Sequence, residues 1–219
     1  MTSVSAGSAL RKAGQALLVW TAAAVILWFV WPPALALPQL WMLATVSALA
    51  NVFQPAYSLF ERSRTPYDRH TAAQIVWTVY LTQVAALTEL VLRRRASLPL
   101  DALTGVAFAA MLGGLALRTW SVLLLGRFFT WNIEVQPGQG IVRDGPYRLI
   151  RHPSYTGALV TFVASCVLLR SWIAAVLALV ALTLAFWRRI RYEEELLRVA
   201  FPEYAEYASH TGMLLPRLH

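Results

Sequence analysis

The apolar residues of this chain fall into long runs separated by short polar stretches, a pattern typical of membrane helices. The first run covers 17–31 and ends at two prolines, and the second covers 40–60. The third, 71–92, contains several Thr and Gln residues and ends at three arginines, whereas the fourth, 103–125, is apolar almost throughout. A hydrocarbon core of about 30 Å requires roughly 20 helical residues. Each run is therefore a candidate transmembrane helix.

The last apolar run, 155–187, is too long for one membrane crossing and slightly short for two ideal ones. Arg170 and Ser171 interrupt it near its middle, so the pattern predicts two helices joined by a tight turn. Both ends of such a hairpin lie on the same side of the membrane. The polar loop 126–153, rich in Gly and Pro, and the charged and amphipathic residues after 187 should therefore meet. The predicted fold is an all-α polytopic membrane protein with five to six transmembrane helices.

Composition supports a membrane protein. Hydrophobic residues make up 58% of the 219 positions and charged residues 14%, with a mean hydropathy of +0.54, whereas soluble domains contain about 25% charged residues. We predict a single integral membrane domain over 1–219. Its N-terminal transmembrane helices occupy 1–125, and its polar loop, hairpin and tail occupy 126–219.

The chain is basic, with 19 Lys and Arg against 11 Asp and Glu and a net charge of +8. Because the arginines adjoin the ends of the apolar runs, we expect anionic lipid headgroups as their partner, and no nucleic acid. The Arg bias suggests a GC-rich genome and hence a multi-pass protein of a bacterial inner membrane. With six crossings the run 93–95 lies outside, against the positive-inside tendency. With five, the third run does not fully cross.

A first cluster of chemistry-bearing residues lies at 144–157. It opens with the turn Asp-Gly-Pro. Pro153 holds His152 in an extended conformation, and Ser154 is a candidate cap for the helix that follows. His152 is thereby placed at a helix N-terminus, which suits an anionic group. The alternative is that Arg148 and Arg151 bind headgroups and His152 bonds a loop carbonyl.

A second cluster lies at 188–197, on the charged continuation of the last helix. Arg189 faces Glu193 and Glu194 faces Arg198, each at a spacing of four residues. An Arg that precedes its Glu is the poorer order for helix stability, so the first pair has little value as a local ion pair. The alternative is a solvated juxtamembrane helix stabilised by ion pairs.

The order and spacing of the two clusters resemble the isoprenylcysteine carboxyl methyltransferase family over roughly 125–216. The run Gly-Pro-Tyr-Arg at 145–148 and the run Arg-His-Pro-Ser-Tyr at 151–155, followed by Gly157, are similar to that family's S-adenosylmethionine (SAM) motif. The residues around Arg189 and the tail up to Pro216 are similar to its C-terminal signature. The N-terminal half matches only as generic membrane helices.

This resemblance implies that 126–219 is a SAM-binding catalytic region facing the cytoplasm, with S-adenosyl-L-methionine as cofactor and no metal. Arg189 and Glu193 would lie nearest the methyl acceptor as catalytic residues. Which of Glu193 and Glu194 contacts SAM stays open. Gln139 departs from the His that many members carry. The implied cofactor-binding residues are Gln139, Gly140, Val142, Tyr147, His152, Tyr155, Gly157, Glu194 and Tyr204.

The chemistry that the resemblance implies is methyl transfer to a lipophilic or lipidated acceptor from the bilayer, with a carboxylate of the prenyl-cysteine type as the expected group. A carboxylate is already ionised and needs no general base. It needs a cation, which Arg189 could supply through two parallel hydrogen bonds. Aromatic faces such as those of Tyr147, Tyr155 and Trp131 suit the sulfonium of SAM.

The sequence leaves three alternatives open. In the first, the methyl acceptor is a lipophilic thiol or a phospholipid amine. In the second, the protein is an NADPH-dependent reductase of the membrane sterol or steroid type, with Arg148 and Arg151 binding the extra phosphate. In the third, the protein is a non-enzymatic scaffold, which leaves the loop glycines and the Arg189–Glu193 pair unexplained. Architecture alone does not separate a methyltransferase from a reductase.

Overall fold

The computed structural model of the chain describes residues 20–54, 65, 67–94 and 97–217. In these ranges the protein is all-helical, as predicted, and forms no β-strand. Within them, an isolated β-bridge joins Ile150 to Gly212. Short 3₁₀ helices lie at Pro32–Ala36, Gly126–Phe128 and Gly145–Arg148. The α-helices are α1 (Trp20–Val30), α2 (Pro38–Phe53), α3 (Thr71–Leu92), α4 (Ala102–Leu125), α5 (Pro153–Leu168), α6 (Trp172–Ala200) and α7 (Tyr204–His210).

Three helices of the described ranges are long and apolar enough to cross a membrane: α3, α4 with the 3₁₀ turn that follows it, and α6. The described part of α1 and the 16 residues of α5 are shorter. The predicted number of five to six crossings is therefore not confirmed. Parts of the first two apolar runs, at 17–19 and 55–60, and Arg95 lie outside the described residues.

Lipid-facing side chains support the membrane assignment. The outer face of α6 exposes large apolar side chains that no other part of the described chain covers, and α3 does the same. A soluble protein rarely leaves contiguous apolar surface of this extent in water. The protein is an integral membrane protein. Side chains of this band that are about half exposed or more include Trp77, Leu81 and Val84 on α3 and Ile173, Val176, Val180 and Leu184 on α6.

The predicted hairpin is present. Helix α5 ends at Leu168, and α6 begins at Trp172. Arg170 adopts a left-handed conformation with φ 56°, and the Ser171 hydroxyl donates to the carbonyl of Ala86 on α3 at 2.7 Å. The turn is thus anchored on α3, and α6 packs against both α3 and α5.

Helices α4 and α5 cross at two glycines. A Cβ added to Gly114 would lie 2.6 Å from the Gly157 carbonyl oxygen, and one added to Gly157 would lie 2.5 Å from that of Gly114. Small residues allow membrane helices to approach this closely. The crossing fixes the start of α5 against α4, which positions the loop that joins them.

The C-terminal tail lies against the start of α5, as the hairpin geometry predicts. The N–H of Gly212 donates to Leu149 O at 3.1 Å, and the N–H of Arg151 donates to Gly212 O at 2.8 Å. The Thr156 hydroxyl donates to Leu214 O at 2.7 Å. The two segments that carry the candidate chemistry are therefore held side by side.

Candidate active site

A cavity opens where the α4–α5 loop, the start of α5, the charged end of α6 and α7 meet. Nine of the residues proposed from sequence line it: Gln139, Gly140, Val142, Tyr147, His152, Tyr155, Arg189, Glu193 and Tyr204. Its walls also include Phe128, Phe129, Leu196, Leu197 and Phe201. Small-molecule sites are commonly apolar pockets with a few convergent polar groups, and this cavity has that character.

Arg189 is buried, and its guanidinium is largely engaged by the protein itself. Nη1 donates to Asp68 Oδ1 at 2.7 Å and to Thr71 Oγ1 at 3.0 Å, and Nη2 donates to Trp131 O at 2.7 Å. Nε donates to the Tyr155 hydroxyl at 2.8 Å. Four of the five N–H groups of an arginine are thus used. The bidentate grip on an acceptor carboxylate that we expected from Arg189 is not available in this arrangement.

Tyr155 connects Arg189 to Glu193. Its hydroxyl accepts from Arg189 Nε and donates to Glu193 Oε2, each at 2.8 Å. The ring stacks between His152 and Phe186, with centroid distances of 5.6 and 5.2 Å. The direct Arg189–Glu193 contact expected from their spacing is therefore replaced by a hydroxyl bridge, whereas the expected Glu194–Arg198 pair is present at 2.7 Å.

Glu194 is buried behind the cavity and does not line it. Its Oε1 accepts from Arg151 Nε at 2.8 Å and from His152 Nε2 at 3.2 Å, and its Oε2 accepts from Arg198. Through these contacts the Glu194 carboxylate, which lies on α6, holds Arg151 and His152, the two residues that precede α5. The structure therefore places Glu193, and not Glu194, at the cavity.

The motif at the start of α5 is arranged differently from the expectation in two respects. His152 has φ −124° and ψ 56°, so its backbone is not in the extended conformation expected before Pro153. His152 is the N-cap residue and Pro153 opens the helix, so Ser154 lies inside the first turn instead of capping it. The Ser154 carbonyl accepts from Arg118 Nη1 at 3.2 Å. Pro is favoured at the first helical position because it lacks the N–H that would be unpaired there.

Two other residues proposed from sequence have structural partners. Gln139 lines the cavity, and its side-chain oxygen accepts from the N–H of Gln136 at 2.9 Å, which closes a turn containing Gly138 with φ 74°. Gly157 does not reach the cavity, because it lies at the α4–α5 crossing. Gln139 therefore shapes the loop at the cavity, whereas Gly157 allows the close packing of α4 and α5.

The tyrosines of the tail and loop have contrasting partners. Tyr207 donates to Tyr147 O at 2.7 Å, and burial raises the pKa of Tyr207 to about 12. Tyr204 is 2% exposed and lines the cavity, yet its hydroxyl has no hydrogen-bond partner among the described residues. Burial raises the pKa of Tyr204 well above its ordinary range, so it stays a neutral donor. A buried hydroxyl without a partner is costly, so this donor is available to a ligand in the cavity.

Sequence reasoning missed Asp68 and Arg118. Asp68 is buried and faces Arg189 from the turn before α3, a contact that spans 121 positions. Arg118 lies in α4, with no carboxylate of the described residues within 4 Å of its guanidinium. An ionisable residue within an apolar helix suggests a functional role by default, and this was the signal that Arg118 offered. Its guanidinium lies 5.7 Å from the Trp131 ring centroid, and the carbonyl of the same Trp131 binds Arg189.

Comparison with known proteins agrees with this geometry. Residues 106–199 match the family model described as the Isoprenylcysteine carboxyl methyltransferase (ICMT) family. This range includes most of α4, the loop, α5 and α6 up to Val199, and thus most of the cavity wall. Over this stretch the chain is similar to the ICMT family, in agreement with the resemblance drawn from its motifs.

Named relatives point the same way. The chain is 37% identical over 106 residues to Protein-S-isoprenylcysteine O-methyltransferase A of Arabidopsis thaliana, covering 47% of this chain and 54% of the relative. It is 38% identical over 117 residues to a probable protein-S-isoprenylcysteine O-methyltransferase of Oryza sativa subsp. indica, covering 49% and 59%. A cobalt-zinc-cadmium resistance protein of Cupriavidus metallidurans is 43% identical over 100 residues, covering 45% and 46%.

The chain spans about half the length of these relatives. They come from plants as well as bacteria, so they do not establish a bacterial type for this protein.

Proposed function

We propose that this protein is a SAM-dependent methyltransferase that acts on a lipophilic carboxylate of the prenyl-cysteine type. The observation that carries the proposal is the network in which Tyr155 joins Arg189 to Glu193 at the wall of the cavity. It lies in the part of the chain that matches the ICMT family. The names of the plant relatives support the same reaction class.

The residues present fit a SAM molecule. The Tyr204 hydroxyl, which has no protein partner in the described part of the chain, offers a hydrogen bond inside the cavity. The face of Tyr147 is suited to a cation, whereas the ring of Tyr155 is covered by His152 and Phe186. The Glu193 carboxylate adds negative charge to the cavity. When bound, SAM supplies an electrophilic methyl group on a sulfonium. Tyr204, Tyr147 and the loop around Gly140 would hold and orient it.

The acceptor site is proposed beside the cavity, between Arg189, which lines it, and Arg118, which is not among its lining residues. Arg189 retains at most one free N–H, whereas Arg118 has no carboxylate partner among the described residues. Arg118 has a backbone carbonyl and a ring face as partners, which hold its guanidinium but do not neutralise it, so an anion beside it would be favourable. We therefore assign the main contact with the acceptor carboxylate to Arg118, and we assign to Arg189 the role of orienting Tyr155 and Glu193.

Catalysis by this arrangement is chiefly orientation. A carboxylate acceptor is already a nucleophile, so no residue has to remove a proton from it. The protein brings two reactants into line, and positioning of that kind lowers a barrier substantially. Opposite charges are neutralised as the methyl group moves, so a cavity that excludes water favours the reaction. The apolar walls formed by Phe128, Phe129 and Leu197 serve that purpose.

The alternative of an NADPH-dependent reductase gains no support from the geometry. Its extra phosphate would need Arg148 and Arg151 together. Arg151 is instead bound to Glu194, to the carbonyl of Ala208 at 3.0 Å and to that of Thr211, and Arg148 is exposed. No observation on the described residues favours a reductase over a methyltransferase.

Calorimetric titration of the detergent-purified protein tests the proposal. We expect SAM to bind with measurable heat and NADPH not to bind. The His152→Ala variant, which breaks the contact with Glu194, should bind SAM more weakly. NADPH binding in the absence of SAM binding would exclude the methyltransferase. We also propose that the SAM site opens to the cytoplasm of a bacterial inner membrane. The arginines near the cavity support this orientation, because positively charged residues favour the cytoplasmic side.

A further inference from the structure

A second concave surface lies on the opposite side of Glu194 from the cavity, around the charged part of α6. We call it the α6 basic groove and define it by Arg69, Trp187, Arg188, Arg191, Tyr192 and Arg198. Residues 187, 188, 191, 192, 195 and 198 follow helical spacing, so they share one face of α6. Arg69 joins them from the turn before α3. Nothing in the proposed methyl transfer uses this surface.

The groove carries excess positive charge. Arg198 is paired with Glu194, which also binds Arg151 and His152. No carboxylate of the described residues lies within 4 Å of the guanidinium groups of Arg69, Arg188 or Arg191. Two acids line the groove in the described part of the chain: Glu194, which is paired with Arg198, and Glu195. Three cations against one carboxylate leave the surface with a net demand for an anion.

Aromatic rings and carbonyls hold these cations in place. The Arg69 guanidinium lies 4.6 Å from the Tyr192 ring centroid, and that of Arg188 lies 5.7 Å from the same ring. Arg188 Nη2 donates to the Arg69 carbonyl at 3.2 Å. Contacts of this type orient a guanidinium without neutralising it. The two groups therefore converge on one ring and keep their full charge.

The position of the groove defines the source of the anion. Trp187 is 47% exposed and follows the apolar outer face of α6, where Val180 and Leu184 are also exposed. Exposed tryptophans at the end of an apolar band mark the headgroup level of a bilayer. The Arg191 guanidinium lies 5.0 Å from the Trp187 ring centroid. The arginines are thus placed just beyond the hydrocarbon, at the depth of lipid phosphates.

We propose that the α6 basic groove binds the phosphate of an anionic glycerophospholipid whose chains lie against the outer face of α6. The indole of Trp187 would contact the acyl-glycerol boundary, and Arg69, Arg188 and Arg191 would contact the phosphate. This site is separate from the cavity and does not depend on the proposed methyl transfer.

Native mass spectrometry of the full chain tests the proposal. The protein is titrated with phosphatidylglycerol or phosphatidylcholine, and the bound fraction is counted. The test variant is Arg188→Gln/Arg191→Gln, and the control Arg143→Gln/Arg148→Gln removes the same charge from exposed positions in the α4–α5 loop. Arg191→Gln alone is a second test variant, because Arg191 makes no hydrogen bond within the described residues that folding would lose.

The wild type and the control should bind phosphatidylglycerol more tightly than phosphatidylcholine. Each arginine near an anionic headgroup contributes about fivefold in affinity, so the double test variant should lose roughly 30-fold and Arg191→Gln about fivefold. Equal binding of phosphatidylglycerol by the wild type and both test variants would overturn the proposal. So would an equal loss in the control, or full displacement of the lipid by millimolar inorganic phosphate.

Discussion

The hydroxyl of Tyr155 donates to Glu193 Oε2 at 2.8 Å, across 38 positions of the chain. The same hydroxyl accepts from Arg189 Nε, so one oxygen atom ties the start of α5 to two successive turns of α6. Arg189 is in turn fixed by the buried Asp68. The orientation of Glu193 in the cavity therefore depends on a chain of contacts that begins before α3.

Tyr155→Phe should lower turnover while SAM affinity changes little. The variant keeps the stacked ring and removes the bridge, leaving the buried Nε of Arg189 without its acceptor. A lost buried hydrogen bond of this kind costs about 1–3 kcal/mol, or roughly fivefold to 150-fold in rate if it acts in the transition state. Steady-state kinetics checks this, with Tyr80→Phe on the exposed face of α3 as the control. Unchanged turnover would remove the bridge from the mechanism.

Tyr204→Phe should weaken SAM binding about fivefold without lowering stability, because its hydroxyl has no protein partner among the described residues. The neighbouring Tyr207→Phe is the matched control. It removes the hydrogen bond to the Tyr147 carbonyl and should lower the thermal midpoint, at a cost of about 1 kcal/mol. Calorimetry and thermal unfolding separate the two effects. A stability loss in Tyr204→Phe with unchanged SAM affinity would contradict a ligand contact at this hydroxyl.

Arg118→Gln should raise the KM for the lipophilic acceptor by about tenfold or more and leave the Kd for SAM nearly unchanged. The reason is that hydrogen bonds to a charged group are worth about 1.5–3 kcal/mol, and we assign those of Arg118 to the acceptor. The control is Arg148→Gln, at an exposed position of the loop. If SAM affinity falls and the acceptor KM does not, Arg118 binds the cofactor instead.

Gly157→Ala should destabilise the protein through helix packing. The new Cβ would lie 2.5 Å from the Gly114 carbonyl oxygen, and overpacking of this kind costs about 1–3 kcal/mol. Gly113→Ala, one residue from the crossing and with nothing within 4 Å of its added Cβ, should be neutral or stabilising because Ala favours helix. Thermal unfolding in detergent compares them. Equal midpoints, with SAM affinity lost only in Gly157→Ala, would instead return Gly157 to the cofactor site.

Local signals in the sequence predicted much of the fold. Arg170 and Ser171 marked the hairpin turn because an arginine at the centre of a single membrane helix would be costly, whereas in a turn it reaches the polar surface. The hairpin then required the loop and the tail to meet, and the contacts of Gly212 with Leu149 and Arg151 confirm this. The crossing number was not predictable in the same way, since helix lengths near the spanning limit are ambiguous.

The candidate site was harder to predict in detail because its partners are distant in sequence. Spacing predicted a direct Arg189–Glu193 contact, but it gave no information on Asp68, which reaches Arg189 only once α3 packs on α6. Spacing also could not separate Glu193 from Glu194. Successive residues of a helix point about 100° apart, so one faces the cavity and the other faces Arg151.

The proposed reaction moves a methyl group from SAM to a lipophilic carboxylate bound at the cavity. The most direct measurement incubates the purified protein with an S-farnesyl-cysteine acceptor and SAM labelled with tritium on its methyl group. We predict label in the lipid extract that mild base releases as volatile methanol, as a methyl ester requires, and far less label with Tyr155→Phe. Label that base does not release would mean a thiol or amine acceptor. No label in the lipid extract would contradict the proposed reaction itself.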